Sequence, residues 1–418
     1  MILLRIVLKS AWHRRTSLLL TILSIAISVS LLLGVDKIRK EAKNSFINTI
    51  SQTDLIVGAR SGPINLLLYS VFRIGNATNN VSWESYEEIT AFPEVAWSIP
   101  ISLGDSHRGF RVMGTNTDYF SYYQYGQSQH LVFAQGQPFE NVYEAVIGAD
   151  VARALDYQLN DEIVIAHGLV STDFAAHGDK PFVIAGILEK SGTPVDRTVH
   201  VPLEGIEAIH IDWQGGSRSA LQLSAEQALK MDLQPKAITA FMIGLDNRIN
   251  TFRLQRRITE YDEEPLLAII PGATLAEFWQ TISVFEQVLL VISGFVLIAG
   301  LLGMLTMLLS TLNERRREMA VLRAIGAHPY HILLLFVLET FFIVFIGYLL
   351  GMSLLYLLLV VTQPLLLESY GINIAITLPD AQQWLLFAIV LLLGVLVSLI
   401  PGLIAYRRSL QDGLAIKM

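Results

Sequence analysis

Charged residues vanish from four stretches of the chain and return between them. Ser17 to Val35 is 19 residues without a charge, opened by Arg14 and Arg15. Gln287 to Asn313 is 27 residues long, Thr340 to Leu367 forms a third run extended backwards by His331–Leu338, and Ala381 to Tyr406 is the fourth. A helix rises 1.5 Å per residue, so roughly 20 residues cross a hydrocarbon core about 30 Å thick. Each stretch is long enough to span once and too short to span twice. A buried core helix would explain any one of them; four together predict a membrane protein. The first could also be read as a signal peptide, since Arg5, Lys9, Arg14 and Arg15 precede it. Its apolar run is longer than the roughly 7–15 residues such peptides use, however, and Gly34-Val35-Asp36 offers no small-x-small cleavage site. We expect an uncleaved anchor.

The predicted plan is four transmembrane α-helices with a large α+β extracytoplasmic domain inserted between the first and second. An amphipathic N-terminus and the first span occupy 1–35, and the inserted domain with helical stalks 36–285. The second span follows at 286–313, a cytoplasmic link at 314–330 and the third span at 331–362. A short external loop at 363–380, the fourth span at 381–406 and a tail at 407–418 complete it. Inside the insertion, Asp36 to Thr53 has helical spacing (Ile38, Ala42, Phe46, Ile50), and Thr274 to Gln287 leads helically back to the second span. β-Branched and apolar residues cluster between turn formers at Pro100–Met113, Glu144–Ile147, Glu162–Ala166 and Pro181–Leu188, which predicts short strands. Short helices are expected at Trp83–Phe92, Asp150–Leu155 and Ala225–Met231. Loop 58–75 is unusually apolar and reads either as core or as a lip touching acyl chains.

Charge sets the topology. Cytoplasmic flanks of membrane helices carry the excess lysine and arginine. Four basic residues precede the first span, Arg315, Arg316, Arg317 and Arg323 lie between spans two and three, and Arg407, Arg408 and Lys417 follow span four. The link before span four has Glu368 and Asp380 and no basic residue. Both termini and 314–330 are therefore expected in the cytoplasm, and 36–286, with 19 basic and 31 acidic residues, outside. The overall net charge of −7 hides this split and argues against nucleic acid as a partner. Hydrophobic residues make up 52% of the chain and charged ones 16%, which argues against a wholly soluble enzyme. The absence of cysteine excludes disulfides, thiolate metal sites and cysteine nucleophiles.

Several chemistries are missing. A P-loop needs glycine directly before lysine, and none of the nine lysines follows a glycine. HExxH and GxSxG are absent as well. The adjacent carboxylates Glu87-Glu88 and Glu263-Glu264 read as solvated surface. Six histidines lie in the insertion, at 107, 130, 167, 177, 200 and 210. No pair has tight ligand spacing; His167 and His177, flanking one loop, are the best candidates for a metal, against a structural reading of all six. Glu339 is the one acid well inside an apolar run, so it is either a functional carboxylate or one that snorkels or pairs with Arg323. Gly300 and Gly303 in span two, with Gly347-x-x-x-Gly351 in span three, allow close helix packing or are simply tolerated there.

The link is the most informative stretch. Glu314 and Glu318 fall where carboxylates suit a helix start, Gly326 where a helix stops, and Met319, Leu322 and Ile325 recur at three-residue spacing with Arg315, Arg317 and Arg323 on other faces. A plain positive connector needs only the charge; an amphipathic helix with start and stop signals suits docking into a groove on a cytoplasmic partner. The run Glu314-Arg315-Arg316-Arg317-Glu318-Met319-Ala320-Val321-Leu322-Arg323-Ala324-Ile325-Gly326-Ala327 resembles the coupling-helix signature of ABC transporter permeases of the MacB, FtsX and lipoprotein-release superfamily. Glu144–Ala152 followed by Asn160-Asp161-Glu162-Ile163 is similar to that family's external-domain motif, with Asn160 where glycine is usual. The topology and the Pro401…Arg407-Arg408 tail also resemble the family.

The resemblance implies a half-permease without catalytic residues or a cofactor of its own. ATP and Mg would be held by a cytoplasmic ATPase on a separate chain, two copies docking on a homodimer of this one in the bacterial inner membrane. Closure of the ATPases would push on the coupling helix and so on the external domain, a mechanotransmission that exports or extracts a lipid, lipoprotein, peptide or drug-like substrate. A periplasmic adaptor or binding protein is a further expected partner. The alternatives are an FtsX-like signalling permease that activates a periplasmic enzyme, for which about 250 external residues is large, and metal-linked transport through the external histidines.

Overall fold

The computed structural model describes residues 14–47, 49–167, 179–214, 217–218, 223–314, 319, 321, 323–324, 326–370 and 377–411. The first element among the described residues is helix α1 (Arg15–Ile47). The insertion then gives β1 (Leu55–Ala59), α2 (Pro63–Phe72), α3 (Trp83–Thr90), β2 (Val95–His107), β3 (Phe110–Thr115), β4 (Phe133–Gly136), β5 (Glu144–Ile147), α4 (Ala149–Leu155), β6 (Glu162–Ile163), β7 (Ala166–His167), β8 (Phe182–Leu188), β9 (Thr198–Pro202), α5 (Leu203–His210), β10 (Ala240–Leu245), α6 (Thr251–Thr259) and β11 (Leu266–Ile269). Three long helices follow, α7 (Pro271–Glu314), α8 (Pro329–Tyr370) and α9 (Ala381–Gln411). α1, α7, α8 and α9 are each long and apolar enough to cross a membrane. Two compact units result: Ala42–Ile282 belongs to the inserted domain, and the chain up to Glu41 packs with Ser283–Pro364 in the other.

One mixed sheet organises the inserted domain, in the order β11-β1-β10-β2-β3-β9-β5-β8-β4, with β7 added on β2 and β6 on β8. Most pairings are antiparallel; β9 runs parallel to β3 and β8 parallel to β5. Alternation sorts the side chains between faces. Ile56 pairs with both Met242 and Ile269 and joins Leu66 and Tyr69 of α2 in one apolar cluster. Their neighbours Val57, Phe241 and Ile243 point the other way, onto Tyr86 and Ile89 of α3 and Leu254 and Ile258 of α6. At the other end of the sheet Ala145, Ile147, Val199 and Val201 pack with Val151 of α4 and Ile209 of α5.

The local signals show why the elements fall where they do. Ser82 accepts the Ser85 amide at 3.3 Å as the N-cap of α3, while Glu264 takes the Ser82 amide and hydroxyl at 3.1 and 2.9 Å. Glu264 is thus a structural acceptor, not the solvated carboxylate its sequence context predicts. A Cβ on Gly148 would run into the Val195 carbonyl, so α4 can begin there only on glycine. Asn160 has φ +69°, the left-handed region that glycine occupies most freely and asparagine next. Its stand-in for glycine is therefore a conservative one.

Several expectations need correcting. The stalk helix expected to reach Thr53 ends at Ile47, with Thr49 in a turn. The helix expected to Met231 spans only Ala225–Ala228, ended after one turn of a Ser224–Gln227 capping box. Stretch 58–75 holds a helix, α2, started by Pro63 and closed by Arg73 at φ +60°, and Leu66, Leu67, Tyr69 and Phe72 are buried. α8 continues as a helix through Tyr370 and α9 to Gln411, while the stretches within them apolar enough to span run Pro329–Gln363 and Ala381–Arg407, close to the expected bounds.

Candidate functional site

The membrane unit is stitched together along α1. On α8, a Cβ at Gly347 would sit 2.8 Å from Ile25 Cγ2, and one at Gly351 2.6 Å from the Ala26 carbonyl and 2.9 Å from Val29 Cβ. Gly34 answers from α1, 3.3 Å from Leu355 by the same measure. Small residues thus let the α1 and α8 backbones approach, as helix pairs in lipid require when van der Waals packing carries the association. On α7, a Cβ at Gly300 would sit 2.9 Å from Ser28 Oγ, and that hydroxyl donates to Ser24 O at 2.9 Å and to Val296 O at 3.2 Å. Among the described residues nothing lies within 4 Å of a Cβ at Gly303, so it does not share this packing with Gly300, Gly347 and Gly351. Tyr348 of α8 donates to Gln383 O of α9 at 2.6 Å.

At the end of α1 that leads into the insertion, charges gather. Asp36, 3% exposed, takes Lys40 at 3.0 Å and Arg39 at 3.3 Å on its own helix, and Gln382 approaches from α9 at 3.4 Å. Lys40 also reaches Asp380 at 2.8 Å, and Lys37 donates to Thr377 at 2.6 Å while pairing Glu41 at 3.6 Å. The hydrogen bond from Lys40, reinforced by the Gln383 amide, holds the Asp380 carboxyl below its usual range. The sequence carried a trace of this cluster in the two acids, Asp36 and Glu41, that flank Lys37, Arg39 and Lys40. Its partners, some 340 residues away, had no local signal.

At the opposite end of α7 lies the arginine-rich link. α7 runs to Glu314, and Met319, Val321 and Arg323 are helical, with Val321 62% exposed. Gly326 turns the chain at φ +92°, its amide on the Arg323 carbonyl at 3.0 Å, before α8 starts at Pro329. Arg323 donates to the Ala327 carbonyl at 3.4 Å. The side chain of Glu314 and the residues Arg315, Arg317, Glu318, Leu322 and Ile325 lie outside the described residues. Glu339 is 3% exposed within α8.

The described histidines are occupied by the fold. His107 Nδ1 donates to Val164 O at 2.7 Å, and its Nε2 meets the Tyr157 hydroxyl at 2.9 Å. His200 is fully buried against Tyr119, with Nδ1 donating to Val146 O at 3.2 Å; burial, helped by the Arg73 charge, pushes it down to about 3. Among the described residues no three metal-ligating side chains converge. His177 and the side chain of His167 lie outside them.

Comparison with known proteins matches this architecture. The MacB-like periplasmic core domain family matches residues 18–261, and the FtsX-like permease C-terminal family matches residues 290–413. The macrolide export ATP-binding/permease protein MacB of Nitrosomonas europaea is 21% identical over 353 residues, 80% of this chain and 48% of that protein. The chain thus spans about half the length of the curated relative it matches. Two solved structures are similar. The periplasmic region of MacB from Actinobacillus actinomycetemcomitans gives a TM-score of 0.34 at 10% identity, over 57% of this chain and 95% of that one. The extracellular domain of the noncanonic ABC-type transporter YknZ from Gram-positive bacteria gives 0.30 at 11%, over 52% and 99%. One family covers the first span and most of the insertion and the other the last three spans: the chain belongs to the MacB/FtsX superfamily of ABC transporter permeases.

Proposed function

We propose that this permease transmits ATP hydrolysis, carried out by a cytoplasmic ATPase on a separate chain, to its inserted domain. ATP and Mg sit on that ATPase, of which two copies serve a homodimer of this chain in the bacterial inner membrane. Both termini and the 314–330 link face the cytoplasm and the insertion faces the periplasm, as the lysine and arginine distribution supports. α7 supports this most directly: it runs 44 residues without a break from Pro271 to Glu314. At 1.5 Å per residue that is about 66 Å, roughly twice what a bilayer requires. A single helix entering the arginine-rich link at one end and the inserted domain at the other can pass a push along its axis. The work is spent outside or in the outer leaflet, on export or extraction of a lipid, lipoprotein, peptide or drug-like substrate, with a periplasmic adaptor as a further partner.

Alanine at Arg315 and Arg317 together, or glutamate at Ile325, tests this in the assembled transporter. ATP hydrolysis should no longer drive substrate movement, while the chain still inserts in the membrane. Full transport by either variant contradicts the coupling role.

A further inference from the structure

The inserted domain contains a cavity of about 360 Å³ that neither the coupling link nor the helix packing uses. Three arginines, Arg73, Arg111 and Arg197, line it together with the rings of Phe46, Phe72 and Phe110. The arginines come from distant segments brought together by the sheet. Arg73 closes α2 at φ +60°, Arg111 lies on β3, and Arg197 directly precedes Thr198 on β9, the cross-strand partner of Arg111.

Neutral acceptors hold two of them in place. Arg73 donates to the Ser70 carbonyl and to Met113 Sδ at 2.7 Å, and Arg111 donates to the Gly75 carbonyl at 3.1 Å. Neither forms an ion pair with a carboxylate of the described residues. Arg197 stands over Phe110, with 5.2 Å from its guanidinium carbon to the ring centroid. The nearby Asp196 carboxylate is engaged with the turn that forms one wall, accepting from the Ser191 amide at 2.8 Å and the Gly192 amide at 2.7 Å. Burial lowers Arg111 from its usual value, the cost of holding positive charge in a confined place where no carboxylate of the described residues pairs with it. Planar guanidinium groups grip phosphate and carboxylate through paired N–H donors. A cavity of this volume is at the lower end of the range for organic ligands, and far larger than one inorganic ion needs.

We propose that this cavity binds a small organic anion, a phosphate or carboxylate held by Arg73, Arg111 and Arg197 and carried on an apolar body seated against Phe46, Phe72 and Phe110. The site belongs to the inserted domain and stands whether or not the link couples to an ATPase.

Isothermal titration of the full chain in a neutral detergent tests it, with hexyl phosphate, hexanoate, hexanol and inorganic phosphate as probes and empty micelles as the blank. Saturable binding of hexyl phosphate or hexanoate is expected, with hexanol and inorganic phosphate at least about tenfold weaker; the tighter of the two anions identifies the headgroup. Arg111→Gln should weaken the anion about tenfold or more. Ile74→Glu should do the same from the rim, where the side chain is 53% exposed and its replacement leaves the core untouched. Three results overturn the site: no saturable heat, equal binding of hexyl phosphate by wild type and Ile74→Glu, or inorganic phosphate binding as tightly as hexyl phosphate, which is an adventitious ion only.

Discussion

Lys40, near the end of the first membrane helix, lies 2.8 Å from Asp380, the residue just before the last one begins. The pair joins α1 to α9 where Lys37 also bonds Thr377 and Gln382 approaches Asp36. Asp380 is 50% exposed and Asp36 only 4% at the side chain, so the two carboxylates should differ in weight. A double-mutant cycle with Lys40→Met and Asp380→Asn should return a coupling of no more than about 1 kcal/mol in thermal unfolding. Asp36→Ala should cost two to three times as much, since it removes a buried carboxylate that holds Arg39 and leaves Lys40 with Asp380 alone. The Asp380 carboxyl is held below its usual range, so its tie is complete at neutral pH and fades only as pH falls through that depressed value. Equal costs at Asp36 and Asp380 would contradict the assignment.

His200 gives the inserted domain a pH dependence of opposite origin. It stays neutral in the fold down to about 3, but the unfolded chain takes up a proton near 6.5. Its contribution is therefore whole above pH 6.5 and declines between 6.5 and 3, by up to about 1.4 kcal/mol per pH unit. Unfolding curves at pH 7.5 and 5.5 should show this loss in the wild type and a smaller one in His200→Gln, whose amide can still donate to Val146. Parallel pH slopes for the two proteins would rule it out.

The glycine seam makes a position-specific prediction. Gly351→Leu, meeting the Ala26 carbonyl and Val29, should destabilise the purified chain by about 1–3 kcal/mol or more, as forced overpacking does. Gly303→Ala should change stability by less than about 0.5 kcal/mol, because none of the described residues stands within 4 Å of the added Cβ. Thermal unfolding in detergent reads both, and a reversed order would show that α1 and α8 do not meet there.

Gly326 should be sensitive for its backbone alone. No atom of the described residues would crowd a Cβ there, yet its φ of +92° is one that side-chain-bearing residues avoid. Gly326→Val should therefore strain the start of α8 by about 1–3 kcal/mol, and Gly326→Asn by less. Thermal unfolding of the two variants side by side checks the order; a valine as stable as wild type would mean that the turn is not held.

How much of this was legible in the sequence depended on how local the cause was. Apolar runs reported the four spans because lipid demands a continuous stretch. Glu144–Ile147 was legible as a strand because turn formers bound it on both sides; Asn160 was noted only through the family resemblance, and its φ of +69° came from the fold. β1, β10 and β11 were not foreseen, since their identity comes from pairings such as Leu55 with Ile243, almost 190 residues apart. The role of Glu264 beneath α3 and the arginines of the cavity were hidden for the same reason. In the link, the arginines, Gly326 and the apolar spacing were readable, whereas the Lys40–Asp380 tie depends on two helices that only the fold makes neighbours.

The proposed coupling places the ATPase on the 314–330 link. The most direct measurement is capture of the cognate ATPase by the detergent-solubilised chain, compared between wild type and Ile325→Glu at equal amounts of inserted protein. A loss of about tenfold or more is predicted, with thermal unfolding of the permease unchanged. Undiminished capture by Ile325→Glu, with ATP hydrolysis and transport still linked, would contradict the account.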